Sequence, residues 1–445
     1  MVEPAASPPV RVALHSVGCK VNHYEVEALK SAFSRRGYHV VAPGDPADVH
    51  VINTCTVTGS GDADSRRAVR RARSASPGAT IVATGCYAQR QPATLRRAGA
   101  DLVVGNGRKA DLLALLEAHQ AGWEAPGFDP EVRPRTAAFL QIDGAVEGGR
   151  TRGALQIQDG CDEHCTYCLI PAVRGPGVSR PAAQVVEQAR RMVDAGYREL
   201  ALTGVHSGSY GVGGGRTGGL LDLLEELERV PGLARIRLNS IEPGFLSDAL
   251  IDFVAGSGKV CRHFHLPLQS GDATVLRRMG RRYTPAHYAE RVERAAARVP
   301  ACAIGADVMV GFPGEGEAEF RNTMALLDGL PITYLHVFTY SPRPGTPATR
   351  LGRRAPAAVC RQRAGRLIRL GRARRMAFHS RFLGRTVEVL VEDHIDAASG
   401  LQVGLTDNYI RVLWAGPQAP PNRLLPVRLT HAREDAACGE AVESP

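Results

Sequence analysis

Gln158-Asp159-Gly160-Cys161-Asp162-Glu163-His164-Cys165-Thr166-Tyr167-Cys168 holds three cysteines in a Cys-x3-Cys-x2-Cys spacing. The run follows Ala154–Gln158, a short apolar stretch with the length and flanks of a strand. Soft thiolates at this spacing suit a transition metal or an iron–sulfur cluster rather than a hard cation. A structural zinc site closes with four ligands, and a ferredoxin-type cluster uses four thiolates. Three thiolates therefore leave one iron open to a substrate or cofactor. A zinc site completed by His164 is the competing reading of the same residues.

Outward from this run, strand-like and helix-like stretches alternate about six times. After Ala154–Gln158 the candidate strands are Glu199–Thr203, Arg235–Asn239, His263–Leu268, Ala303–Val310 and Tyr334–Tyr340. The helices between them include Ala182–Ala195, Leu220–Arg229, Pro285–Arg298 and Glu317–Leu327. Right-handed crossovers repeated this often curl a parallel sheet into a full or partial β/α barrel. The pattern alone also admits a doubly wound open sheet. Gly211-Val212-Gly213-Gly214-Gly215 lacks the strand–turn–helix setting and the Lys-Ser/Thr of a phosphate cradle, so it reads as a flexible loop.

Upstream, Val10–Leu14, Val49–Asn53, Thr80–Ala83 and Asp101–Val104 read as strands alternating with helices, the pattern of a parallel α/β domain. Downstream, a helix over Ala357–His379 leads into short β-rich runs at Thr386–Glu392, Leu401–Val403, Tyr409–Leu413 and Leu424–Leu429, which suggest a small antiparallel barrel. The chain thus divides into an α/β domain at 10–121, a linker at 122–152, a barrel-like core at 153–380, a small β-barrel at 381–431 and a loose tail at 432–445. The fold class is α/β.

Cys19, Cys55 and Cys86 are far apart in sequence, yet each follows the end of one of the upstream strands. In a parallel sheet those carboxyl ends share one edge, where ligands bind. Three thiols from neighbouring loops would converge there as a second cluster site. The plainer alternative is three buried structural cysteines, since free Cys is among the most buried residue types. Cys261, Cys302, Cys360 and Cys438 lack partners at ligand spacing. Ten cysteines in all would be an unusual disulfide framework for a reducing compartment.

The chain has 445 residues, 44% hydrophobic, and a formal net charge of +10. No apolar run approaches the roughly 20 residues that span a bilayer, and Met1–Pro9 lacks the regions of a signal peptide. A cytoplasmic protein without membrane contact is expected. The basic balance favours a polyanionic partner. Twelve arginines and no Asp or Glu lie between Arg350 and Arg385, a plausible phosphate-tracking surface on which Arg361, Arg363, Arg366 and Arg369 are the candidate contacts. Arg66, Arg67, Arg70, Arg71 and Arg73 form a second basic helix. Tyr409 and Trp414 are candidates for stacking on bases, though core packing is the commoner fate of such rings.

The Cys161–Cys168 spacing, with Tyr167 in the aromatic position, resembles the radical-SAM superfamily motif. Two three-cysteine sets together narrow the resemblance to the methylthiotransferase family, from about Arg11 to Leu429. Its runs include Val17-Gly18-Cys19-Lys20-Val21-Asn22, Asn53-Thr54-Cys55-Thr56, Gly85-Cys86, Leu202-Thr203-Gly204-Val205 and Ser240-Ile241-Glu242-Pro243. His265-Leu266-Pro267-Leu268-Gln269-Ser270-Gly271, Asp307 to Glu315 and Tyr340 to Pro347 complete it. Gly404 to Tyr409 resembles the TRAM domain, a small RNA-binding barrel. Val178 and His206 depart from the residues usual there.

The resemblance implies two [4Fe–4S] clusters and S-adenosylmethionine (SAM). The cluster on Cys161, Cys165 and Cys168 would cleave SAM to a 5′-deoxyadenosyl radical, while that on Cys19, Cys55 and Cys86 would carry the sulfur. Tyr167, Thr203, Gly204, Ser240 and Glu242 would contact SAM. Gly-Cys-Lys-Val-Asn at the first cysteine resembles the branch acting on N6-threonylcarbamoyladenosine at tRNA position 37. The implied partners are tRNA, an electron-donor protein of flavodoxin or ferredoxin type and a sulfur source, with a monomer as the default. Alternatives are an isopentenyladenosine or ribosomal-protein methylthiotransferase, or a non-catalytic RNA-binding iron–sulfur sensor. Formation of 5′-deoxyadenosine from SAM separates the sensor from the enzymes.

Overall fold

The computed structural model describes residues 9–122, 139–143, 151–212, 219–416 and 418–442. It consists of two compact units, one made of residues 1–149, 159–163 and 168–180, the other of 150–158, 164–167 and 181–445.

The first unit is built on a parallel sheet of β1 (Arg11–Ser16), β2 (His39–Val41), β3 (Val49–Thr54), β4 (Thr80–Gly85) and β5 (Leu102–Val104), in the order β2-β1-β3-β4-β5. Every residue of β3 is buried, as expected of a central strand covered on both faces. Val26, Leu29 and Phe33 of helix Lys20–Arg35 and Leu112, Leu115 and Leu116 of helix Leu112–Gln120 pack on one face. Val69 and Ala72 of helix Gly59–Ala75, with Tyr87 and Leu95, cover the other. The edge strand β2 was absent from the sequence reading. Its three residues are too short for periodicity to show. Of the expected linker, residues 123–138 and 144–150 lie outside the described residues. The piece between them is docked: Tyr24 donates to the Leu140 carbonyl at 2.5 Å and Ser31 to that of Asp143 at 2.8 Å.

Two-residue strands β7 (Gln158–Asp159) and β8 (Val178–Ser179) flank the cysteine loop, after β6 (Gly153–Gln156). In the second unit β6 lies beside β9 (Glu199–Thr203), which lies beside β10 (Arg235–Leu238). β11 (His263–His265), β12 (Ala303–Val310) and β13 (Tyr334–Thr339) follow in the same sense. Single bridges, Ile236 to Val260 and Ser240 to His265, join the two parallel trios. Strand order follows chain order without the reversal of a doubly wound sheet, so this is a partial β/α barrel. Alternation along the strands gives one apolar face, with Leu200, Leu202, Ile236, Phe264, Ile304 and Val308. The other face carries Glu199, Arg237, His263, His265 and Asp307. Residues 213–218 of the glycine loop lie outside the described residues.

Helix Ala357–Ser380 leads to a closed barrel of β14 (Thr386–Ile395), β15 (Gln402–Thr406), β16 (Arg411–Ala415), β17 (Leu424–Ala432) and β18 (Ala437–Ala441), in the order β14-β15-β16-β18-β17. The stretch expected as a loose tail therefore supplies the closing strand. β18 pairs parallel with β16 and antiparallel with β17. Ala-Cys-Gly-Glu-Ala has little β propensity, and its place comes from two waiting edges rather than from its own side chains. Trp414, 1% exposed, sits in the core with Val389, Val412, Val427, Phe378 and Phe382.

Candidate active site

Cys19, Cys55 and Cys86 stand at the carboxyl ends of β1, β3 and β4. Gly18 makes their approach possible. Its φ is +102°, and a Cβ there would fall 2.6 Å from the Cys55 Sγ, so only glycine lets the first loop pass the second thiol. Burial pushes the Cys55 thiol up to about 11. The three thiols are electrostatically coupled, yet their sulfurs are not gathered within 4.8 Å of one another. A single zinc ion, with Zn–S of about 2.3 Å, would gather them more tightly. The all-sulfur donor set fits an iron–sulfur cluster.

Arg174, fully enclosed, supplies the charge at this edge. Its Nε donates to Cys86 Sγ at 3.2 Å and its Nη2 to Asn22 Oδ1 at 2.8 Å. Nη1 meets Glu25 at 3.1 Å and Asp159 at 2.9 Å. Lys109 completes the network, 2.6 Å from Glu25. Burial opposes ionisation of Glu25, but Arg174 and Lys109 outweigh it and hold the carboxyl down to about 2. Two cations face two carboxylates, so the buried charge balances.

Around the second cysteine set each sulfur accepts an N–H. Glu163 N donates to Cys161 and Ile170 N to Cys168, both at 3.4 Å. Arg281 Nη1 donates to Cys165 at 3.3 Å. Hydrogen bonds to cluster sulfurs are a main control on reduction potential. Gly160, at φ +70°, has the Pro176 carbonyl 1.9 Å from where a Cβ would stand. His164 is exposed and joins no metal-ligand group among the described residues.

The expected SAM contacts lie in the second unit. Thr203 ends β9, followed by Gly204, and its hydroxyl accepts from Asn239 Nδ2 at 3.0 Å. Glu242 pairs with Arg281 at 2.8 Å and lies 3.8 Å from His206 Nε2. Burial works against its ionisation, but His206 and Arg281 outweigh that and lower its pKa. Ser240 is exposed, on the bridge to His265. Tyr167 packs edge-on to Phe312 at 6.2 Å.

Of the expected RNA contacts, Arg361 and Arg369 are exposed. Arg366 lies over the Phe320 ring with Glu317 at 3.7 Å. Arg363 is buried and paired with Glu315 at 2.7 Å, so it braces the helix rather than facing solvent. Tyr409 is also turned inward. Its ring, half-buried, stacks on His263 at 4.3 Å and on Tyr334 at 5.5 Å, beneath the Arg237 guanidinium. On the other basic helix, Arg66 and Arg73 are tied to Tyr87 and Asp101, while Arg70 and Arg71 are exposed. Sequence reasoning missed Arg174 and Arg281, because each is remote in sequence from the cysteine it serves.

A model described as the radical SAM superfamily matches residues 155–327, and one described as uncharacterized protein family UPF0004 matches 11–105. The chain is 38% identical to the threonylcarbamoyladenosine tRNA methylthiotransferase MtaB of Bacillus subtilis over 95% of this chain and 94% of that one. Its counterpart in Aquifex aeolicus is 37% identical over 91% and 96%. A tRNA-2-methylthio-N(6)-dimethylallyladenosine synthase of Anaeromyxobacter dehalogenans is 35% identical over 98% and 95%. Among solved structures, the radical S-adenosylmethionine methyltransferase TsrM of Kitasatospora setae shares the fold, with a TM-score of 0.58 over 77% of each chain at 16% identity. With both cysteine sets in place and near full-length identity above 30%, the chain belongs to the radical-SAM methylthiotransferase family, in its MtaB-like branch.

Proposed function

We infer that this protein transfers a methylthio group to C2 of N6-threonylcarbamoyladenosine at position 37 of tRNA, with SAM as methyl donor and radical source. One observation carries the reading: two three-cysteine sets, each with a buried guanidinium on one sulfur, in a chain matching the MtaB relatives almost end to end. Cys161, Cys165 and Cys168 would hold one [4Fe–4S] cluster and Cys19, Cys55 and Cys86 the other; when bound, they supply one-electron reduction of SAM and a seat for the sulfur.

The chain's own residues do the positioning. Arg281 joins Cys165 to Glu242, so the group assigned to SAM is fixed to the loop that would hold the cluster. Asn239 locks the Thr203 hydroxyl at the neighbouring strand end. We assign Tyr167, Thr203, Gly204, Ser240 and Glu242 to the methionine and ribose parts of SAM. No general base is nominated, because an aromatic C2–H is too weakly acidic for a His or Glu to ionise usefully. The exposed Arg361 and Arg369 are assigned to tRNA phosphates. An electron donor of flavodoxin or ferredoxin type, a sulfur source, a cytoplasmic location and a monomeric state complete the reading. No described helix is long and apolar enough to cross a membrane.

The test is deletion of the gene followed by mass spectrometry of digested bulk tRNA. The 2-methylthio-N6-threonylcarbamoyladenosine should vanish while its unthiolated parent rises, and a Cys161→Ala copy should not restore it. Loss of the isopentenyl counterpart instead would overturn the substrate assignment.

A further inference from the structure

We propose that His265, Asp307 and His336 form a site for one divalent transition-metal ion, distinct from the two cysteine sets. The three residues come from adjacent parallel strands β11, β12 and β13. Asp307 and His336 are direct cross-strand partners, and His265 is the partner of Gly305, two residues before Asp307. Alternation therefore puts all three side chains on the polar face. Each offers one ligand atom, and these atoms lie within 4.8 Å of one another. His265 Nε2 is 2.9 Å and His336 Nδ1 3.4 Å from the same oxygen, Asp307 Oδ1. An ion bound at about 2.0–2.2 Å by nitrogen and oxygen ligands would hold its donors roughly 3 to 3.5 Å apart.

The surroundings are those of a ligand set. A metal-binding imidazole commonly engages its second nitrogen in an outer hydrogen bond that fixes tautomer and ring orientation. His265 Nδ1 has such a partner, the Tyr334 hydroxyl at 3.1 Å, itself 2.7 Å from His263 Nε2. Asp307 supplies the oxygen donor between the two imidazoles. His336 is half exposed and lines a cavity of about 310 Å³ with Tyr334, Arg375 and Tyr409, which gives an ion a way in. Two imidazoles and one carboxylate select Zn²⁺, Fe²⁺, Co²⁺ or Ni²⁺ over Mg²⁺ or Ca²⁺. With three protein ligands among the described residues, at least one coordination position is left for another ligand.

Cobalt is the probe, because it is counted separately from cluster iron. The cluster-loaded full-length protein is dialysed to equilibrium against Co²⁺, and cobalt and iron per chain are measured by elemental analysis. One saturable cobalt per chain is expected, with affinity lowered at least tenfold in His336→Ala and in Asp307→Asn at unchanged iron content. His336 is half exposed and Asp307→Asn keeps the side-chain shape, so both variants should fold, as circular dichroism will show. Absence of saturable cobalt in the wild type, or equal binding in the wild type and both variants, would overturn the site.

Discussion

Arg174 shows what a single residue does here. Its guanidinium touches a thiol, an amide and two carboxylates inside the protein. Replacing it with Gln would leave Glu25 and Asp159 short of a cation, and breaking a buried pair from one side costs about 3–5 kcal/mol. Arg174→Gln should therefore lower the denaturant midpoint sharply. It should also make the potential of the cluster on Cys19, Cys55 and Cys86 more negative in an EPR-monitored titration, because a positive donor to sulfur is lost. Glu25 gives the same network a pH signature. Its folded pKa of about 2 lies below the unfolded value of about 4.3. The stability it contributes is therefore complete above the unfolded value and lost as pH falls from there toward the folded one. On acidification through that window wild-type stability should fall toward that of Glu25→Gln, whose own profile is the flatter there, as read by denaturant melts at each pH. The cysteines were legible in sequence because strand ends recur at a readable spacing. Arg174 was not, since it lies 88 residues from Cys86 and nothing local marks it.

Elements were legible in proportion to their length and period. Helix Ala182–Asp194 was expected at Ala182–Ala195, and Pro285–Arg298 at the same bounds, because apolar residues recur along both at helical spacing. β2 and β18 escaped, being short pieces ordered by the edges they join rather than by their own pattern. A chain stopped after Ala432 tests that account. Without β18, the facing edges of β16 and β17 are unpaired, and open edges invite association. The truncated protein should elute as aggregates in size-exclusion chromatography. The loop before Cys161 offers a finer test. Gly160→Ala would place a methyl group against the Pro176 carbonyl in a left-handed backbone, a conformation that alone costs about 1–2 kcal/mol. Iron at the Cys161 set should fall, while iron at the Cys19 set, which lies on other loops, should be retained, as read by Mössbauer spectroscopy.

On the scale of the whole molecule, the net charge of +10 is not all available to a partner. Many arginines are consumed internally: Arg237 by Glu199, Arg363 by Glu315 and Arg174 by Glu25. Composition suggested a polyanionic partner, but it could not say which arginines were available, because pairing depends on residues brought together only by folding. Arg361 and Arg369 are exposed on the helix leading to the C-terminal barrel. If both contact tRNA phosphates, the double alanine variant should reduce the slope of log affinity against log salt by about 1 per residue lost, as measured by filter binding at several salt concentrations. Arg363→Ala should instead lower thermal stability, because it strands Glu315.

Tyr409 has a consequence for how such a protein changes over time. It holds φ at 68°, unusual for a non-glycine residue, with its ring against His263 and Tyr334 and the neighbouring carbonyls of Thr406 and Asp407 bound by Arg237. One loop of the C-terminal barrel thus packs against the polar face of the β/α barrel and lines the cavity there. The two parts are not exchangeable modules: a foreign C-terminal barrel would bring the wrong loop, and substitutions at 406–409 would persist only alongside matching ones at 237, 263 and 334.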